Sequence, residues 1–147
     1  MSKNNDKKLI KSRERVRKYG EVFTPERLVK EMCDMLEKES PDAFMALTNT
    51  FLEPACGTGN FLVEILQRKL ALCKDKSDGI DALNSIYGVD ILSDNIDESR
   101  KRMKEIYVQK FGDSEEIDKV LERNIVCGNF LTKTTLDGNK IWFLNGE

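Results

Sequence analysis

Between residues 28 and 36 the apolar side chains are Leu28, Val29, Met32, Cys33, Met35 and Leu36. Steps of three and four put them on one face of a helix. Thr24-Pro25 predicts its start, with Thr24 as N-cap and Pro25 in the first helical position, and Pro41 predicts its end. Residues 50–53 form a short apolar run cut by Pro54, which predicts a strand. Helical spacing returns from Asn60, at Phe61, Leu62, Ile65, Leu66 and Leu70. Asp78-Gly79 predicts a break, residues 85–91 a second strand, and Ser93 a cap for a helix carrying Ile96, Met103, Ile106 and Tyr107. Ser114 predicts the start of a short helix with Ile117, Val120 and Leu121, and 124–127 a third strand. Asp137-Gly138 reads as a turn, and 141–144 as a last apolar run that suits a fourth strand. Residues 8–18 suit a short charged helix.

Short strands alternating with helices argue for an α/β fold with a parallel sheet. Ligands of such sheets sit beyond the carboxyl ends of the strands, so the residues just after each strand are the candidates for chemistry. After the first strand, in FLEPACGTGNF (51–61), come Glu53, Pro54, Ala55, Gly57, Gly59 and Asn60. Two close glycines permit positive φ and remove the Cβ atoms that would hold a ligand off the backbone. The helix beginning at Asn60 points free N–H groups into the same space, which suits a carboxylate or phosphate. Glu53 repels a polyphosphate, and no P-loop lysine follows the glycines. A ligand carrying both a cation and a carboxylate fits both features. After the second strand, Asp90 in YGVDIL is placed to accept two ribose hydroxyls. After the third, Asn129 and Phe130 in CGNF offer an amide and a ring to a purine. An amino-acid tail, a ribose and an adenine together describe S-adenosylmethionine.

Charge and composition narrow the class. The chain has 147 residues, 39% hydrophobic and 34% charged, which suits one soluble domain and is too apolar for disorder. The net charge of −2 hides an asymmetry: residues 1–18 hold eight Lys or Arg against Asp6 and Glu14. That basic arm suits either phosphate contact or a solvated terminus. The four cysteines (Cys33, Cys56, Cys73, Cys127) form no C-x-x-C pair and the chain has no histidine, which argues against zinc and excludes histidine-based catalysis. The thiols read as small buried hydrophobes of a cytoplasmic protein. No run is long and apolar enough to span a membrane. Trp142 suits burial under a hairpin better than stacking on a base.

In these stretches the chain resembles the gamma-type DNA adenine-N6 methyltransferases of restriction–modification systems. YGEVFTP (19–25) is similar to that family's N-terminal cofactor motif, FLEPACGTGNF to its glycine-rich motif, YGVDIL to its ribose motif and CGNF to its adenine motif. The order agrees over residues 19–131. The resemblance implies a Rossmann-like, class I methyltransferase fold, present in part as about half of the parallel sheet. It implies that Thr24 and the loop at Ala55, Gly57 and Gly59 face the methionine part of S-adenosylmethionine, that Phe23, Pro54 and Asn60 also belong to the cofactor site, that Glu53 meets the ammonium group directly or through water, that Asp90 holds the ribose with Ile91 against the adenine, and that Asn129 and Phe130 bind the adenine. The family usually carries Asp where this chain has Asn129, which implies weaker adenine binding. It also implies DNA as a partner, with the basic residues of 3–18 aiding contact.

The Asn/Asp-Pro-Pro-aromatic motif that the resemblance assigns to base flipping and catalysis is absent from this sequence: Pro25, Pro41 and Pro54 are not adjacent. The expectation is a basic arm over 1–18 and a cofactor-binding domain over 19–147 that lacks the catalytic half, inactive by itself. A half sheet leaves an open strand edge, which predicts a partner chain or a homodimer there. The alternatives are a non-catalytic, regulatory S-adenosylmethionine-binding module and one part of a split methyltransferase. A small-molecule methyltransferase or a dinucleotide oxidoreductase fits less well, since YGEVFTP argues against both and the third glycine of G-x-G-x-x-G is missing.

Overall fold

A computed structural model describes residues 9–145. The elements run α1 (Arg13–Tyr19), α2 (Glu26–Glu39), β1 (Phe51–Glu53), α3 (Asn60–Ala71), α4 (Lys76–Asn84), β2 (Ile86–Asp90), α5 (Ser93–Phe111), α6 (Glu115–Asn124), β3 (Ile125–Asn129) and β4 (Thr134–Thr135), closing on a 3-10 turn (Trp142–Leu144). The sheet order is β1-β2-β3-β4. The first three strands are parallel, with Leu52 opposite Tyr87 and Val89 opposite Val126, and β4 is antiparallel to β3. The fold class is therefore α/β with a mostly parallel sheet flanked by helices.

Helices α3 to α6 contact one another as well as β2, and α5 and α6 also meet β3, which gathers the four on one face of the sheet. Leu62, Leu66, Leu83, Ile86, Ile96, Met103, Ile117 and Ile125 fill the space between, each essentially inaccessible. On the opposite face Tyr87 meets the edge of Trp142 and the ring of Phe143. Trp142 is half exposed and donates its indole N–H to the Arg123 carbonyl at 3.0 Å, so it packs at the rim rather than beneath a hairpin.

Several boundaries move for local reasons. Asp78-Gly79 lies inside α4 instead of breaking the chain. Asp75 caps that helix by accepting from the Asp78 N–H, and Asp78 accepts from the Lys74 N–H in return. Gly79 is required there because a Cβ would meet the Phe111 ring at 2.7 Å and the Tyr107 ring at 3.0 Å. Pro25, not Thr24, is the cap residue of α2, and Leu92, not Ser93, that of α5; neither makes a side-chain capping bond. The fourth strand is Thr134–Thr135 rather than 141–144. The turn at Gly138 pairs the Thr135 N–H with the Asn139 carbonyl at 2.7 Å, and this short register exhausts the hairpin before Trp142. The Asn145 amide then donates to the Ile141 carbonyl at 2.6 Å, which fits the chain to a tight turn.

The apolar face of α2 is divided. Val29 and Cys33 are buried against α3, whereas Leu28, Met32, Met35 and Leu36 stay exposed. Met32 and Leu36 stand beside β1, whose outer edge pairs with no strand among the described residues. A small apolar cleft of about 230 Å³ between Met32, Leu36, Phe51, Leu52, Phe61 and Ile65 marks that boundary.

Candidate cofactor site

The carboxyl ends of β1, β2 and β3 open into one cleft of about 360 Å³, within the range of small-molecule sites. Phe23, Thr24, Glu53, Pro54, Ala55, Gly57, Asn60, Asp90, Ile91, Asn129 and Phe130 all line it. The parallel register explains the gathering, since each strand delivers its last residue to the same rim. Gly59 is the exception among the residues singled out from the sequence. It is buried, and its φ of +93° turns the chain into α3. A Cβ there would meet Ser99 Oγ at 2.9 Å and Ser99 Cα at 3.2 Å, so this glycine serves the approach of α5. Gly57 does face the cleft, at φ +55°, with the Phe23 ring 3.0 Å from where its Cβ would lie.

The polar atoms differ in how committed they are. Asp90 accepts from the Gly57 N–H at 2.9 Å on Oδ2, and from the Leu92 N–H at 2.9 Å and Asn95 Nδ2 at 3.2 Å on Oδ1. A carboxylate offers about four acceptor sites, so one remains for a ligand hydroxyl, not the two expected from the sequence. Asn60 is tied off: Nδ2 donates to the Thr24 carbonyl at 2.8 Å, and Oδ1 accepts from Arg102 at 2.9 Å. It pins the strand-to-helix bend to the 19–24 segment. Asn129 Oδ1 accepts from the Leu131 and Thr132 N–H groups at 2.8 and 3.3 Å, which commits that oxygen to a turn and leaves the NH₂ as the group able to address a base. Phe130 stands partly exposed at the mouth beside the fully open Leu131.

Glu53 has one internal donor, the Ala55 N–H at 3.3 Å. Burial pushes its carboxyl above the usual range, against the lowering effect of that bond. Among the described residues no Lys or Arg lines the cleft, whereas Glu21, Glu53 and Asp90 do. Cys56 also lines it, but burial first, and then Asp90, push its thiol up to about 12, so it stays protonated and inert.

Sequence reasoning missed the supports. Asn95, Ser99 and Arg102 share one face of α5, the first two being fully buried. Ser99 donates to the Gly57 carbonyl at 2.9 Å and Arg102 to the Thr58 carbonyl at 2.8 Å, so α5 grips the bend from behind. Their helical spacing on the inward face was the available signal. Glu21, inside YGEVFTP, was missed as well; its carboxylate accepts from Asn95 Nδ2 at 2.6 Å.

Part of the basic arm is engaged within the fold. Arg15 makes a two-point contact with Asp94, at 2.7 and 3.0 Å, and Lys11 reaches the same carboxylate at 2.8 Å. Arg13 and Arg17 remain exposed, Lys18 lies over the Tyr19 ring, and Lys3, Lys7 and Lys8 fall outside the described residues. Among the described residues no cluster of three or more Cys, Asp or Glu is placed to hold a metal ion, and no helix is long and apolar enough to cross a membrane.

The sequence profile of the N-6 DNA methylase family matches residues 9–114, which takes in the bend, the Asp90 strand end and the 19–24 segment. The chain belongs to the N-6 DNA methylase family. A curated relative is the type II methyltransferase M.VspI of Vibrio sp. (strain 343), 34% identical over 89 residues. That alignment covers 60% of this chain and 18% of M.VspI, so the matched part spans less than a fifth of that relative's length. No solved structure matches the chain.

Proposed function

We propose that the cleft of this N-6 DNA methylase chain binds S-adenosylmethionine and that the chain is the cofactor-binding portion of a DNA adenine-N6 methyltransferase with a Rossmann-like, class I fold. One observation carries this reading: three parallel strand ends present an acid, a bare-backbone bend, a second acid and an amide–ring pair to one cleft without a cation in its lining. The residues present fit the group. Glu53, lifted by burial and short of donors, suits an ammonium. The open side of Gly57 lets the carboxylate end approach the backbone, Asp90 retains one acceptor for a ribose hydroxyl, and Asn129 with Phe130 suits the base. S-adenosylmethionine supplies a methyl group on a sulfonium centre. The residues of this chain bind and orient it, while Phe23 and Phe61 shield the bend from water.

Calorimetric titration tests the cofactor. S-adenosylmethionine is expected to bind, and ATP and NAD to be rejected by the uncompensated carboxylates. Glu53→Gln removes a charge-assisted contact of roughly 1.5–3 kcal/mol, so affinity should fall roughly ten- to a hundredfold. The ionised carboxylate is the form that pairs with the ammonium. Wild-type affinity is therefore full above the raised Glu53 range and declines as pH falls through it, and the Gln variant should lack this step. Equal binding of ATP, or a pH profile unchanged by the substitution, would refute the assignment.

The second part of the proposal concerns the catalytic half. Among the described residues the outer edge of β1 is unpaired and Leu28, Met32, Met35 and Leu36 are exposed, which favours completion of the sheet along that edge by further polypeptide. DNA is the proposed substrate, with Arg13 and Arg17 free to contact phosphates. With labelled S-adenosylmethionine and duplex DNA the chain by itself should transfer no methyl group; robust incorporation would sink the half-enzyme reading. A non-catalytic, regulatory module predicts the same silence and no rescue by a polypeptide carrying Asn-Pro-Pro-aromatic. A homodimer at the β1 edge predicts a doubled sedimenting mass.

A further inference from the structure

The segment before α2 is a closed strap. Its base is the bond from the Phe23 N–H to the Leu9 carbonyl at 2.7 Å, and between them Lys11, just before α1, and Arg15, within α1, reach over the start of α5. Asn95, fully buried, lies beneath it. Its Nδ2 has two hydrogens and two acceptors, Glu21 Oε2 at 2.6 Å and Asp90 Oδ1 at 3.2 Å. Its Oδ1 accepts from Lys11 Nζ at 2.7 Å and Arg15 Nη2 at 3.3 Å. An amide turned the other way would set its oxygen against two carboxylates and its NH₂ against two cations, so the four contacts fix one orientation. Arg15 also balances Glu21: Nη2 donates to Oε2 at 3.1 Å, and Nε lies 2.8 Å from Oε1 off the hydrogen-bond line, as an ion pair.

We propose that Asn95 is a positioning residue for Asp90 and that Lys11 and Arg15 of the strap set it, so that the N-terminal segment tunes how the cleft grips a ribose. The inference rests on reading Asp90 as the ribose acceptor. Asp90 is oriented by three donors, of which two are backbone N–H groups fixed by the bend and by the entry to α5. The third, Asn95, is the one that a distant segment controls. Without Lys11 and Arg15 the amide loses two of its four contacts, and Glu21, whose side chain is nine-tenths buried, keeps Asn95 as its remaining described donor. The amide, no longer held at its oxygen, can then turn with Glu21 and away from Asp90, and the Asp90 carboxylate gains freedom to rotate away from the ligand.

The experiment compares two ligands on folded protein. S-adenosylmethionine and its 2′,3′-dideoxyribose analogue are titrated calorimetrically into wild type, the Lys11→Ala/Arg15→Ala double variant and Asn95→Ala, with melting curves for each. Wild type should prefer the hydroxylated ligand by roughly tenfold or more, the worth of one hydrogen bond to a charged group. Both variants should reduce that preference to within about threefold of unity, while affinity for the dideoxy ligand changes little. The double variant alters half-exposed side chains and keeps the test open if Asn95→Ala fails to fold. Equal losses for both ligands, or an undiminished preference, would overturn the positioning role. Wild type that binds neither ligand would instead remove the cofactor reading on which the role depends.

Discussion

Gly59→Ala should unfold part of the cleft and, on the proposed reading, weaken S-adenosylmethionine binding by about a hundredfold or more. Two effects combine at this position. The backbone sits at φ +93°, where a side chain costs roughly 1–3 kcal/mol. The new Cβ also meets Ser99, at 2.9 Å for Oγ and 3.2 Å for Cα. The hydroxyl can rotate away, but it then abandons the Gly57 carbonyl; the Cα cannot move without shifting α5. Because α5 also carries Asn95 and Arg102, the displacement reaches Asp90 and Asn60 together. A stability loss of about 3 kcal/mol or more is expected by denaturant titration. Gly57→Ala should be milder, since its neighbour is the edge of the Phe23 ring, which can yield. Gly138→Ala is the control: its φ of +84° carries the strain, with nothing within 4 Å to strike. If all three cost the same, the contact with Ser99 contributes nothing.

Lys69→Met should be the most destabilising surface-neutral change in α3. Lys69 is fully buried, and its ammonium donates to the Leu47 carbonyl at 2.9 Å, the Asn49 carbonyl at 2.5 Å and Ser85 Oγ at 2.5 Å. It thereby ties the approach to β1 and the entry to β2 onto α3, over the face of Phe51, which itself stacks on Phe44. Burial pushes the ammonium down to about 8, and the ordinary value is 10.5. That shift corresponds to about 3 kcal/mol charged against the ammonium form. Methionine relieves it but leaves three acceptors, one buried and two part-buried, short of a donor, at roughly 1–3 kcal/mol each. The second effect wins, and a net loss of about 2–4 kcal/mol is expected, or about 5–15 °C in melting temperature. The pH dependence supplies the sign. Between about 8 and 10.5 the unfolded chain holds the Lys69 proton and the folded chain releases it, so this group's contribution rises with pH in that window. The stability gap between wild type and Lys69→Met should widen from pH 8 to pH 10; a gap that narrows means the lysine is not buried as described.

Much of the site was legible because strand ends in a parallel sheet have few ways to be arranged. Short apolar runs followed by Glu53, Asp90 and Asn129 put three candidate residues at one rim, and the structure joins them there. What the sequence concealed was decided by tertiary contact. Gly59 and Gly57 look alike in the sequence, yet one meets a helix and the other a cleft. Asp78-Gly79 has the composition of a turn, and two aromatic rings from α5 fold it into a helix. Lys69 reads as a solvent-facing residue until the loop before β1 closes over it. The apolar stripe of α2 was visible as a pattern, but not the fact that the described residues bury just Val29 and Cys33 of it.

The cation-free lining bears on turnover under the proposed reading. Methyl donation converts the sulfonium into a neutral thioether and so removes one positive charge from a cleft whose described lining holds Glu21, Glu53 and Asp90 and no Lys or Arg. The spent cofactor keeps its ammonium and its hydroxyls but loses one favourable Coulomb partner, so it departs more readily than fresh cofactor arrives to stay. On that reading the cleft should hold the spent cofactor less tightly than the fresh one, which paired titrations of the two check.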